Sequence, residues 1–144
     1  MKDRFRFRVW VKTVNSYISE KDEADIVRLE EDGKIFVGLY DGDIEDMIYL
    51  KEQNLIIEQC TGLKDKNGKL IYEGDILDFA FRKYADYEDF YIGKVFFYNA
   101  SFNVITTKDN QELPVGWLAQ EDVEIVGNIH ESPELLEEQN NGKN

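Results

Sequence analysis

The sequence predicts a mainly β protein: an N-terminal antiparallel sheet, a small barrel or roll after it, and a short C-terminal helix. Three observations predict this. The opening "RFRFRVWVK" alternates strictly between two kinds of side chain, the pattern of a strand. Turn signals built on Gly, Asn and Asp recur about every ten residues between short β-prone runs, as in a barrel or roll. A helix signal stands out only near the end, where Ser132-Pro133 offers an N-cap and a proline at the first helical position. The expected division is 1–59 for the sheet, 60–131 for the barrel, and 132–144 for the helix and a fraying tail.

In the first strand, Phe5, Phe7, Val9 and Val11 fall on one face; Arg4, Arg6, Arg8, Trp10 and Lys12 fall on the other. Asn15-Ser16 suits a turn. "DIVRLEEDGKIFVGLY" reads as a hairpin with Asp32-Gly33 as its I′-type connection. Asp41 to Asp46 form an acidic loop, and "MIYLKEQNLIIEQCTGL" gives one or two strands broken at Gln53-Asn54. Asn67-Gly68 lies between β-prone stretches and signals a second hairpin. After Gly74-Asp75, Leu77, Phe79 and Phe81 alternate with Asp78 and Ala80, and Lys83 to Asp89 reads as a polar, tyrosine-bearing loop. "YIGKVFFYN" and "FNVITT" pair about Ala100-Ser101, "ELPVGWL" is a short extended piece, and "DVEIVGNI" closes the sheet. The helix through Leu135 and Leu136 is too short to stand alone and must dock its leucines.

Composition bounds the function. At 144 residues the chain is one domain or two very small lobes, and it needs neither metal nor disulfide to fold. The single cysteine, Cys60, excludes an internal disulfide and fits a reducing cytoplasm. There is no basic-then-apolar leader and no apolar run of about 18 residues, so a cytoplasmic protein with no membrane span is expected. The net charge of −13 is uneven: residues 1–12 hold five basic residues against Asp3, and the remainder holds 12 basic against 29 acidic. Such a body repels phosphate backbones, which weighs against nucleic acid as a partner. The basic strand is instead expected to pair with carboxylates of its own chain or of another subunit.

The blocks "CTGLKDKNGKLIYEGDIL", "RFRVW" and "VEIVGNIHESPELLE" together resemble the YopX family of phage and prophage proteins, in the family's order and over nearly the whole chain. The resemblance implies a small, soluble, β-rich protein of a phage or prophage, with an SH3-like barrel in its second half. Within the matching blocks, Thr61, Gly62, Asn67, Gly68, Tyr72, Gly74, Asp75, Gly127, Asn128 and Pro133 are expected to serve structure, and Gly74-Asp75 opens a strand as such pairs do in SH3-like barrels.

Several chemistries can be tested on spacing. Counted from Asp65, a calcium loop would need oxygen ligands where Lys69 and Ile76 stand, and its glycine comes at the fourth position instead of the sixth. "DGDIEDMIYLKE" has better ligand spacing, but Asp46 replaces the glycine and a strand precedes it, so it reads as a solvated acidic loop. His130 is the sole histidine and cannot build a zinc site with Cys60 alone, and no orienting group accompanies a Cys60–His130 nucleophilic pair. No phosphate-binding loop, dinucleotide fingerprint or nucleophile elbow occurs. The expectation is a protein with no cofactor, no metal and no catalytic residues, acting through contacts of Arg4, Arg6, Arg8, Trp10, Tyr84, Tyr87 and Tyr91 with a host or phage protein, and forming a homo-oligomer. The alternative is a nucleic-acid-binding accessory factor using the basic strand, with Trp10 as a stacking platform, or the barrel. A weaker third reading is an acidic mimic of DNA that occupies a host DNA-binding protein.

Overall fold

Alternating apolar side chains in short runs, punctuated by turn residues, commit this chain to antiparallel strands. The computed structural model describes residues 6–18, 26–32, 34–39, 48–50, 52–84 and 87–141. Among the described residues the fold is mainly β with one short helix, as the sequence predicts. The chain divides into two compact units, Arg8–Glu58 and, together, Met1–Phe7 with Gln59–Asn144.

In the smaller unit, β1 (Phe7–Val11) turns at Asn15, whose φ of +50° suits asparagine, into β2 (Ser16–Tyr17), with Trp10 opposite Tyr17. A three-stranded antiparallel sheet follows, in the order β3 (Ile26–Leu29), β4 (Ile35–Leu39), β5 (Ile48–Leu50). The expected hairpin is there, with Leu29 opposite Ile35 and the Glu30 N–H donating to the Lys34 carbonyl at 2.8 Å. Gly33, and with it the I′ geometry expected at Asp32-Gly33, lies outside the described residues, as does the acidic loop of Asp41 to Asp46. The chain breaks in a 3-10 turn, Glu52–Asn54, before β6 (Leu55–Lys64) begins, matching the interruption read at Gln53-Asn54.

The larger unit starts with the end of β6 pairing β7 (Leu70–Tyr72). Its main sheet is antiparallel, in the order β11 (Glu112–Pro114), β10 (Ser101–Thr106), β9 (Tyr87–Tyr98), β8 (Asp75–Tyr84), β12 (Val123–Asn128). β9 and β10 meet at Asn99-Ala100, both with positive φ, a two-residue I′ connection that matches the twist of the strands. One expectation fails. The described part of Lys83 to Asp89 is strand, not loop: β8 runs to Tyr84, β9 begins at Tyr87, and Arg82 lies opposite Glu88. Cross-strand pairing overrides the polar composition of that stretch.

The inward face of this sheet carries Leu77 and Phe79 from β8, Tyr91 and Val95 from β9, and Val104 from β10. With Ile71, Leu113, Val115 and Val123 they form one core, each fully buried large side chain contributing about 1.5–3 kcal/mol. The outward face carries Asp78 and Ala80, opposite Ile92 and Phe90. The helix α1 (Glu134–Asn141) packs against β9, with Leu136 beside Lys94 and Ile105. The docked leucines give this eight-residue helix the tertiary support it lacks alone.

Candidate interaction surface

Two of the residues singled out by the sequence blocks, Asn67 and Gly68, lie in a hairpin tip built around Asp65. Asp65 is fully buried, and its carboxylate accepts the N–H groups of Asn67 and Lys69, both at 2.9 Å, and of Ile125 at 3.1 Å. Gln120 Nε2 donates to the Asp65 carbonyl, and the Lys66 N–H to the Val123 carbonyl. Burial alone would raise the Asp65 carboxyl above its ordinary value, but the three backbone N–H groups, helped by Lys69, prevail and hold it lower. The hairpin tip is therefore pinned to β12 by a carboxylate whose oxygens are taken up by backbone, which is the opposite of an open calcium loop. Gly68, at φ +79°, ends a β-turn in which its N–H donates to the Asp65 carbonyl; Asn67 keeps negative φ, so the connection is a five-residue loop, not a two-residue I′ turn.

The other block residues lie at turns and strand ends. Gly62 takes positive φ within a register shift of β6, beside Thr61, whose hydroxyl donates to the Ile71 carbonyl at 2.8 Å. Gly74 turns the chain at φ +82°, and the Asp75 carboxylate accepts the Tyr72 N–H at 2.8 Å. Asn128 Oδ1 accepts the N–H groups of His130 and Glu131, and its Nδ2 donates to the Glu131 carboxylate. A Cβ on Gly127 would lie 2.6 Å from Ser132 Oγ and 3.1 Å from Leu135 Cδ1, so glycine lets α1 approach β12. Pro133 directly precedes the helix, one position earlier than expected, and its carbonyl accepts the Leu136 N–H.

The residues expected at an interaction surface are dispersed. Arg4 lies outside the described residues, and the side chains of Tyr84 and Tyr87 do as well. Arg6 is exposed. Arg8 donates through Nε to Glu58 at 3.0 Å, and its guanidinium sits 4.6 Å from the centre of the Tyr17 ring. Tyr17 also donates its hydroxyl to Glu58 at 2.7 Å. The basic strand thus finds an acidic neighbour in its own chain at Arg8. Trp10 is no exposed stacking platform: it is buried at 6%, edge-on to the ring of Tyr17, its cross-strand partner on β2, which packs on the face Trp10 shares with Arg8. Tyr91 is likewise buried, at 5%, stacked on Phe79 at 5.7 Å, since strand pairing turns it inward. Burial, with Asp89 and Asp109 nearby, pushes its hydroxyl above the ordinary value of 10.0. Cys60 is fully buried, as its strand context implies.

The alternation that buries Tyr91 exposes Phe90, and this the sequence reading missed. Phe90 is 67% exposed on the outer face of the sheet, beside Ala80. It borders a groove of about 450 Å³ whose rim carries Asp78, Glu88, Glu121, Asp122 and Glu124. Glu124 is paired with Lys66 at 3.1 Å, while the other four make no ion pair among the described residues. The geometry comes from register: Asp78 sits between Glu124 of β12 and Ile92 of β9, and the 3-10 turn Gln120–Asp122 leads into β12. Among the described residues, no cluster of three His, Cys, Asp or Glu side chains is placed to hold a metal ion. The groove offers spread negative charge around one exposed ring, an arrangement for contact with a surface.

Comparison with the curated proteins finds no match. Among solved structures, the protein yopX of Bacillus subtilis superposes with a TM-score of 0.61 at 21% identity, over 90% of this chain and 94% of that one. Protein EF1440 of Enterococcus faecalis gives 0.58 at 23% identity, over 91% and 96%. At these identities the likeness is one of fold. No helix among the described residues is long and apolar enough to cross a membrane. The model of the YopX protein family matches residues 6–137, which carry the pinned hairpin, the Gly74-Asp75 turn and the Gly127-Asn128 corner, and the chain belongs to that family.

Proposed function

We propose that this protein is a non-enzymatic, phage- or prophage-encoded interaction factor that works in the bacterial cytoplasm and binds a host or phage protein through the open outer face of its five-stranded sheet. The observation that carries this reading is Phe90, a large apolar side chain 67% exposed on that face. An exposed ring within a polar rim has the composition of a contact surface. Self-association is part of the proposal, supported by Trp117 and Tyr98, exposed at 68% and 65%. Affinity capture from host lysate, with and without nuclease, tests the first part: a partner retained after nuclease supports it, and loss of every partner on nuclease treatment contradicts it. Light scattering at micromolar concentration tests the second, which a mass equal to the 16.9 kDa monomer would remove.

The nucleic-acid reading has less to stand on. Trp10 is buried, Arg8 is paired with Glu58, and the open face presents carboxylates to any approaching phosphate. A mobility shift with DNA or RNA at low salt that disappears in Arg6→Ala would revive it.

A further inference from the structure

We propose that the groove beside Phe90 is a docking site for a basic, extended segment of a different polypeptide, with lysine or arginine side chains meeting Asp78, Glu88, Glu121 and Asp122 and an apolar side chain covering Phe90. This rests on the reading of the protein as an interaction factor, and names the surface and the chemistry of its partner.

Among the described residues, a specific feature of the fold leaves this face open. α1 packs against β9, placing Leu136 beside Lys94 and Ile105, while Phe90 stands uncovered farther back along β9 beside Ala80. Charge selects the occupant. Four carboxylates in the groove make no ion pair among the described residues, against Lys66, already held by Glu124, and Arg82, which lies opposite Glu88. A groove of one dominant sign with an apolar wall concentrates ligands of the opposite sign. The same charges repel a nucleic-acid backbone, and their spread, with no metal-holding cluster among the described residues, disfavours a single cation. A second copy of the chain is a poor occupant, because its only concentrated basic run is the N-terminal strand, where Arg8 is committed to Glu58. What remains is a foreign cationic segment with an apolar side chain, and a groove of about 450 Å³ accommodates a few residues of it.

The test uses the full chain and three fluorescein-labelled dodecapeptides: alternating lysine and leucine, lysine and glycine, and glutamate and leucine. Fluorescence anisotropy at low salt should show the lysine–leucine peptide binding, the lysine–glycine peptide at least fivefold weaker, and the glutamate–leucine peptide not at all. Phe90→Ser should weaken the lysine–leucine peptide about tenfold, as should the triple variant Asp78→Asn, Glu88→Gln, Asp122→Asn, the latter with a shallower salt dependence. Because these side chains are exposed, unchanged thermal melts will show that the variants fold. Amide NMR shifts should cluster at residues 78–80, 88–90 and 121–124. Equal binding of the glutamate–leucine peptide, shifts elsewhere, insensitivity to both variants, or no binding overturns the proposal. If nuclease-resistant capture of a partner persists in Phe90→Ser, the protein is still an interaction factor, but neither the outer-face contact nor the assignment of this groove stands.

Discussion

The carboxylate of Asp65 accepts the backbone N–H of Ile125 at 3.1 Å across sixty residues of sequence, tying the tip of the β6–β7 hairpin to the last strand of the sheet. Asp65→Ala removes the acceptor for three N–H groups at a fully buried position, and should destabilise the fold by about 3 kcal/mol. Asp65→Asn keeps an acceptor oxygen for the hairpin but turns an NH₂ donor toward Ile125, and should cost about 2 kcal/mol. Urea unfolding midpoints measure both.

The same carboxylate sets a pH dependence. Its folded-state pKa lies below the ordinary 3.8, so its stabilisation is complete above that value. It is lost as pH falls from 3.8 through the lower folded-state value. The stability gap between the wild type and Asp65→Asn should therefore be constant from pH 7 to about 5 and shrink below 3.8. A gap that narrows above pH 5 would assign the acid sensitivity elsewhere.

Gly127 meets the helix entrance too closely for a side chain. Gly127→Ala sets a Cβ against Ser132 Oγ and Cβ at 2.6 and 2.7 Å, and should cost about 2 kcal/mol. Ser132→Gly in the same chain removes those two atoms and should recover part of the loss. Gly116→Ala, with nothing within 4 Å, is the neutral control. Thermal melts of the four proteins decide it.

Arg8 and Glu58 form a partly buried pair, their side chains 22% and 4% exposed. Arg8→Met removes a guanidinium 3.0 Å from that carboxylate and should destabilise by about 2 kcal/mol. Tyr17→Phe, which removes the other donor to Glu58, should cost about 1 kcal/mol, and the double variant should depart from additivity because both act on one oxygen.

Local chemistry made much of this fold legible. Positive φ at Gly68 and Gly74, the turn at Asn15 and the interruption before Leu55 follow from residues whose conformational preferences need no tertiary context. What escaped was set by pairing across the sheet. Lys83 to Asp89 has the composition of a loop, yet β8 and β9 pair there as far as Tyr84 opposite Tyr87. Reading a loop up to Asp89 left Phe90 in neither element, and Tyr91 at the very start of the next strand, where no neighbour on its N-terminal side fixed which way it faced. Trp10 shares a face with arginines in sequence, but it is buried there, with the Tyr17 ring of β2 packed against it. Glu58, two residues before the buried Cys60, is a charged residue on an inward face, and period-two counting back from Cys60 would have found it.

The central claim is that the open face around Phe90 makes the functional contact. The most direct measurement is parallel affinity capture from nuclease-treated host lysate with wild-type protein and with Phe90→Ser of equal thermal stability. A partner retained by the wild type and depleted at least tenfold with Phe90→Ser is the predicted result. Equal recovery by the two proteins would contradict it.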